Sequence, residues 1–94
     1  VLVYKSAYKW EESVCLGEVL DFPGTVSCGN TLDEARANLA GALQDMAETN
    51  LLCGEPLPIP DSSRCDPLAE LEEPIYLLLQ VGQHLVQHVT APTP

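Results

Sequence analysis

Basic residues are scarce in this chain. Lys5, Lys9, Arg36 and Arg64 stand against 14 acidic residues, for a net charge of −10. The four bases are scattered, so no basic stripe exists to neutralise phosphates, and autonomous DNA or RNA binding is disfavoured. A basic protein is the natural electrostatic complement, although the same charge also keeps a protein soluble. Long apolar runs are missing as well. No stretch reaches membrane length and none has the layout of a secretory signal, so the expectation is a cytoplasmic protein outside the membrane. The chain starts at Val1 rather than Met, which leaves room for a preceding segment.

Signals of covalent, metal or catalytic chemistry are equally thin. Cys15, Cys28, Cys53 and Cys65 contain no CxxC pair and no zinc-type cluster. Cys15 and Cys28 lie in apolar strand patterns and are expected as buried thiols. Their even number allows two disulfides, but a good hydrophobic pattern without a secretory segment favours reduced thiols. No serine or cysteine has a paired local base motif, and the glycines form no phosphate-binding loop. His84 and His88 have a spacing that suits a shared metal on a helix; without further ligands, exposed histidines on a polar stripe are expected instead. Glu18, Asp21 and Asp33 suggest a carboxylate set, yet turn and helix-dipole roles account for Asp21 and Asp33. The sequence singles out no catalytic, cofactor-binding or metal residue, and the binding surface is unassigned.

What is present points to one α+β domain. A hydrophobic fraction of 46% over 94 residues is too high for a disordered chain. So small a domain buries a modest core, and association between copies would help it. Residues 1–8 and 14–20 read as strands. In the first, Val1, Val3, Lys5 and Ala7 alternate with Leu2, Tyr4, Ser6 and Tyr8, and neither side is cleanly apolar. Lys9–Ser13 suits a hairpin connection, with Trp10 at the edge of the core. Pro23-Gly24 suits a type II turn, and Thr25–Cys28 a third, short strand. The expected unit is a three-stranded antiparallel meander.

A capped helix follows, expected from Leu32 to Leu52. Thr31 to Glu34 fits a capping box, in which the Thr31 hydroxyl accepts from the Glu34 amide and Glu34 reaches back to the Thr31 amide. Leu32, Ala35, Leu39, Ala42, Leu43 and Met46 define its buried stripe. Asn38 is expected to hydrogen-bond to the sheet, Gly41 to permit close approach of a backbone, and Gly54 to end the helix. Residues 55–73 form a proline-rich linker, with a short helix expected over Pro67–Leu71. Residues 74–90 then add a strand over Ile75–Val81, or a hairpin turned by Gly82-Gln83, that completes the sheet or pairs with another subunit. A helical reading of that end also exists, since Leu78, Val81, Leu85 and Val89 share one helical face. Ala91–Pro94 should fray.

An ordered set of these residues resembles the HicB antitoxin family of type II toxin–antitoxin systems. It comprises Phe22-Pro23-Gly24, Gly29-Asn30-Thr31, Glu34-Ala35 and Asn38, followed by the proline-rich exit Gly54–Pro60. The resemblance covers roughly the first two-thirds of the chain. It implies a partial RNase H-like β-β-β-α-β fold with residues 1–54 as the core, a single domain overall. It implies a non-catalytic protein that masks a HicA-like toxin, a small basic mRNA-cleaving RNase. No cofactor is implied. Many relatives append a DNA-binding domain, but Asp66–Val89 gives no convincing version of one. The alternative is a solitary HicB-like homo-oligomer, structural or ligand-binding, with no toxin partner.

Overall fold

The computed structural model describes residues 1–78. Its elements run β1 (Leu2–Glu11), β2 (Val14–Val19), β3 (Val26–Gly29), α1 (Leu32–Leu52) and β4 (Leu71–Leu77). The strands form one antiparallel sheet in the order β3-β2-β1-β4. The meander, the helix and the added strand are all present, and the fold class is α+β as expected.

The first strand runs further than its polarity suggests. Lys9 and Trp10 stay in the ladder opposite Leu16 and Cys15, and Glu11 pairs with Val14, leaving Glu12 and Ser13 as a two-residue turn. Glu12 takes a φ of 57° there, a left-handed conformation that tight hairpins demand. The side-chain phase is settled by burial. Tyr4, Ser6 and Tyr8 are buried beneath the helix, and Cys15 and Val19 lie beside them on β2. Val3, Lys5 and Ala7 therefore face the other way.

Turn chemistry leads into the helix. Gly24 has a φ of 89°, and the Thr25 amide donates to the Phe22 carbonyl at 3.2 Å, the hydrogen bond of a type II turn. Gly29 allows the first helical turn to sit against β3, because a Cβ there would lie 2.6 Å from the Ala35 backbone nitrogen. Thr31 caps α1 by accepting from the Glu34 amide at 3.1 Å. The return half of the box differs from expectation. Glu34 accepts from the Asn30 amide at 3.2 Å, one residue earlier than Thr31. The reach of its side chain satisfies the turn rather than the cap residue itself.

The helix ends where expected, in a Schellman motif. Gly54 takes a φ of 75°, its amide donates to the Leu51 carbonyl at 3.1 Å, and the Glu55 amide donates to the Asn50 carbonyl at 2.8 Å. Its buried stripe is Ala35, Leu39, Leu43 and Ala47. Leu32 and Met46 are partly buried against the core, and Ala42 is half-buried, so the fully buried line is rotated slightly from the expected one. Asn38 does bond to the sheet, donating to the Cys28 carbonyl at 2.8 Å. Gly41 does not admit a neighbouring backbone: it is exposed and a Cβ there would meet nothing within 4 Å. Gly41→Ala should therefore raise stability by about 0.8–1 kcal/mol, the propensity difference alone, measurable as a higher urea midpoint at unchanged slope.

The linker is stitched to the sheet as a strap. Tyr4 donates its hydroxyl to the Pro58 carbonyl at 2.7 Å, and Leu57 packs on the core. No helix forms over Pro67–Leu71. The Ala69 amide donates to the Asp66 carbonyl at 3.0 Å in a single turn, then the Glu70 amide donates to the Tyr8 carbonyl at 2.8 Å. That bond draws the chain into the ladder, and β4 begins at Leu71 rather than Ile75. Pro74 is tolerated inside the strand by its register. It pairs with Lys5, whose carbonyl accepts from Leu20 and whose amide donates to Asp21, both on the β2 side. Pro74 thus faces away from β1, where no ladder donor is required. The strand ends at Leu77. Leu79–Val81, the Gly82-Gln83 hairpin or its helical alternative, His84, His88 and the tail lie outside the described residues.

Candidate functional site

The two faces of the sheet are treated differently. One is sealed by α1, which lies nearest β3 and β2. The other is only partly covered, by the strap. Lys5 on this outer face donates its ammonium to the Ser62 and Arg64 carbonyls, both at 2.8 Å, and lies 3.8 Å from a Glu72 carboxylate oxygen. Asp21 provides the second anchor. Its buried carboxylate accepts from the Lys5 amide and, through the other oxygen, from the Asp61 amide, each at 2.9 Å. Asp21 is therefore the pin between β1 and the strap, beyond the turn role expected of it.

Among the described residues, two apolar areas are open on this face. Val1, Val3, Tyr76 and Leu78 lie where β1 and β4 meet, with Val3 directly opposite Tyr76, and all four are exposed. The second area is a cleft of about 520 Å³ between the strap and β2–β3, lined by Ala7, Leu16, Val26 and Cys28 together with Lys9, Glu18 and Asp66. Val26 is 63% exposed. The sequence singles out no binding residue, yet it carries a signal for this face. Val14 and Leu16 alternate with Cys15 and share the face opposite to Cys15 and Val19, so β2 carries apolar residues on both sides.

The carboxylates that suggest a set are not brought together. Asp21 is buried as the strap pin, Glu18 lines the cleft, and Asp33 is exposed and paired with Arg36 at 3.3 Å. Among the described residues no group of three metal-capable side chains converges. Nor does any helix among them have the length and apolarity to cross a membrane. All four cysteines are free, and Cys15 is buried. Cys28, expected inside, is exposed, because β3 puts Val26 and Cys28 on the outer face while Ser27 turns to the helix and donates to the Ala35 carbonyl at 3.0 Å. Trp10 is exposed at the end of the sheet, where its amide donates to the Glu70 carboxylate at 2.7 Å.

The few cations are largely engaged within the chain. Arg36 holds Glu73 through two bonds of 2.7 and 3.0 Å, and Arg64 lies 3.8 Å from Asp61. The hydrogen bond to Glu73 raises the Arg36 pKa, and the Ser63 hydroxyl and amide lower that of Asp61. Burial raises the pKa of Tyr4 and Tyr8 above their ordinary 10.0 and of Cys15 above 9.0. The unfolded chain loses these protons first, so stability should hold below about pH 9 and fall as pH rises through the folded values. Urea midpoints at pH 8 and pH 10.5 measure this directly; equal midpoints would contradict it.

These features define a class: a helix-backed antiparallel sheet with its opposite face partly open and rimmed by acid. The same architecture occurs in solved HicB structures. The chain is similar to the N-terminal domain of the Burkholderia pseudomallei antitoxin HicB, at 26% identity and a TM-score of 0.71, over 83% of this chain and 100% of that one. It also shares its fold with the B. pseudomallei antitoxin HicB in a second crystal structure, at 21% identity and a TM-score of 0.69, over 99% of this chain and 87% of that one. No family model and no curated protein matches the sequence. Together with the motif set from Phe22 to Asn38, the match to the N-terminal antitoxin domain supports a HicB-like family for this chain.

Proposed function

We propose that this chain is an antitoxin that binds a HicA-type mRNA-cleaving toxin and neutralises it by masking, without catalysis of its own. The observation that carries the reading is the shared HicB fold, aligned over the full length of the N-terminal antitoxin domain. The charge agrees: a net −10 protein suits a basic RNase as its partner. Within this reading the sheet and helix are a partial RNase H-like core used as a docking platform, in the cytoplasm, where the toxin's RNA is. Operator binding plays no part in the proposal, since the sequence offers no basic patch for it. Mixing the purified chain with its cognate HicA-like protein tests the reading. A co-eluting complex whose affinity falls with added salt is expected; two separate species at micromolar concentration would contradict it.

The open square of Val1, Val3, Tyr76 and Leu78 favours a second reading, a solitary HicB-like homo-oligomer with no toxin partner. Sedimentation of the chain with and without the toxin separates the two: a stable oligomer left unchanged by the toxin would support the second.

A further inference from the structure

We propose that the cleft between the strap and β2–β3 receives an apolar side chain projecting from a basic protein surface. The inference deepens the reading above by naming the surface and the chemistry of its partner. Its floor is apolar, formed by Ala7, Leu16 and Val26, and its volume of about 520 Å³ accommodates a large side chain. Glu18 and Asp66 supply negative charge around that floor, and Val26 pairs directly with Glu18 in the ladder, so apolar and acidic groups alternate at the entrance. Among the described residues, Lys9 is the one cation of the lining, against Glu18 and Asp66. The strap wall is already built. The Asp66 amide donates to the Glu72 carboxylate at 2.8 Å, and the Asp66 carboxylate accepts from the Leu68 amide at 2.9 Å.

Charge selects the occupant. With Lys5, Arg36 and Arg64 paired to Glu72, Glu73 and Asp61, the chain's −10 is left to act outward. Long-range attraction draws a cationic surface, and the apolar floor then fixes where it seats. A second copy brings the same charge and is repelled at this cleft, where Glu18 and Asp66 line the entrance.

The test needs no toxin. The full chain, labelled with ¹⁵N, is titrated with a synthetic peptide alternating leucine and lysine, and separately with its leucine–glutamate counterpart. Amide shifts at Leu16, Val26 and Cys28 with the lysine peptide alone are expected, weakening as salt rises. Val26→Ser, at an exposed position, should weaken binding by about tenfold, whereas Tyr76→Ser on the other apolar area should leave it unchanged. Shifts spread over the acidic surface with Val26→Ser silent would overturn the proposal. So would binding of the glutamate peptide, or a change in the chain's own sedimentation on Val26→Ser, which would make the occupant a second copy. Peptide binding in the cleft with no toxin complex would sink the antitoxin reading and leave this one standing; a toxin complex indifferent to Val26→Ser would do the reverse.

Discussion

Asp21→Ala is expected to lower stability by about 3 kcal/mol, roughly 15 °C in melting temperature for a domain of this size. Its two carboxylate oxygens each hold a different backbone amide, one on β1 and one on the strap, and the residue is only 4% exposed. Removing the side chain leaves both donors short of partners in a site where water has poor access, and each such donor costs about 1–3 kcal/mol. Asp21→Asn separates the contributions. Its single carbonyl oxygen serves one amide, while its NH₂ group confronts the other, so an intermediate loss is expected. Hydrogen exchange supplies the local readout: the Lys5 and Asp61 amides should accelerate together in Asp21→Ala. Acceleration of neither would contradict the role of Asp21 as a pin.

The second large effect is at Leu39. It is fully buried at the middle of the helix stripe, between Ala35 and Leu43. Leu39→Ala should cost about 3 kcal/mol, combining lost transfer energy with the cavity left between helix and sheet. Leu52→Ala, at the exposed end of the same helix, should change stability by less than about 0.5 kcal/mol. Chemical denaturation of the two variants measures the contrast. Equal effects would mean that the helix does not seal the sheet through this stripe.

Much of this architecture was legible because local chemistry and global packing agree. Pro23-Gly24 and Gly54 set particular backbone conformations, Gly29 leaves room for the first helical turn, and Thr31 with Glu34 supplies the cap, and these local signals delimit α1 and the turn before β3. The less legible parts depend on partners distant in sequence. A lone stretch around Pro67–Leu71 reads as a helix start; only the Tyr8 carbonyl, 62 residues from Glu70, turns it into a strand entry. Pro74 argues against a strand until its register opposite Lys5 is known. Cys28 reads as buried because its neighbours are apolar, and β3 is too short for alternation to assign its faces. Asp21 reads as an ordinary turn residue because its two amide partners, Lys5 and Asp61, lie 16 and 40 residues away in sequence. The open face escaped assignment because a sheet with apolar residues on both sides looks, in sequence, like one buried on both.

In the proposed function a helix-backed sheet acts by occupying another protein. Its most direct test is to follow RNA cleavage by the cognate HicA-like RNase while this chain is added. Cleavage should decline with each addition and be abolished at saturation, with the RNA-free complex forming in parallel. Undiminished cleavage in the presence of excess folded chain would contradict the account.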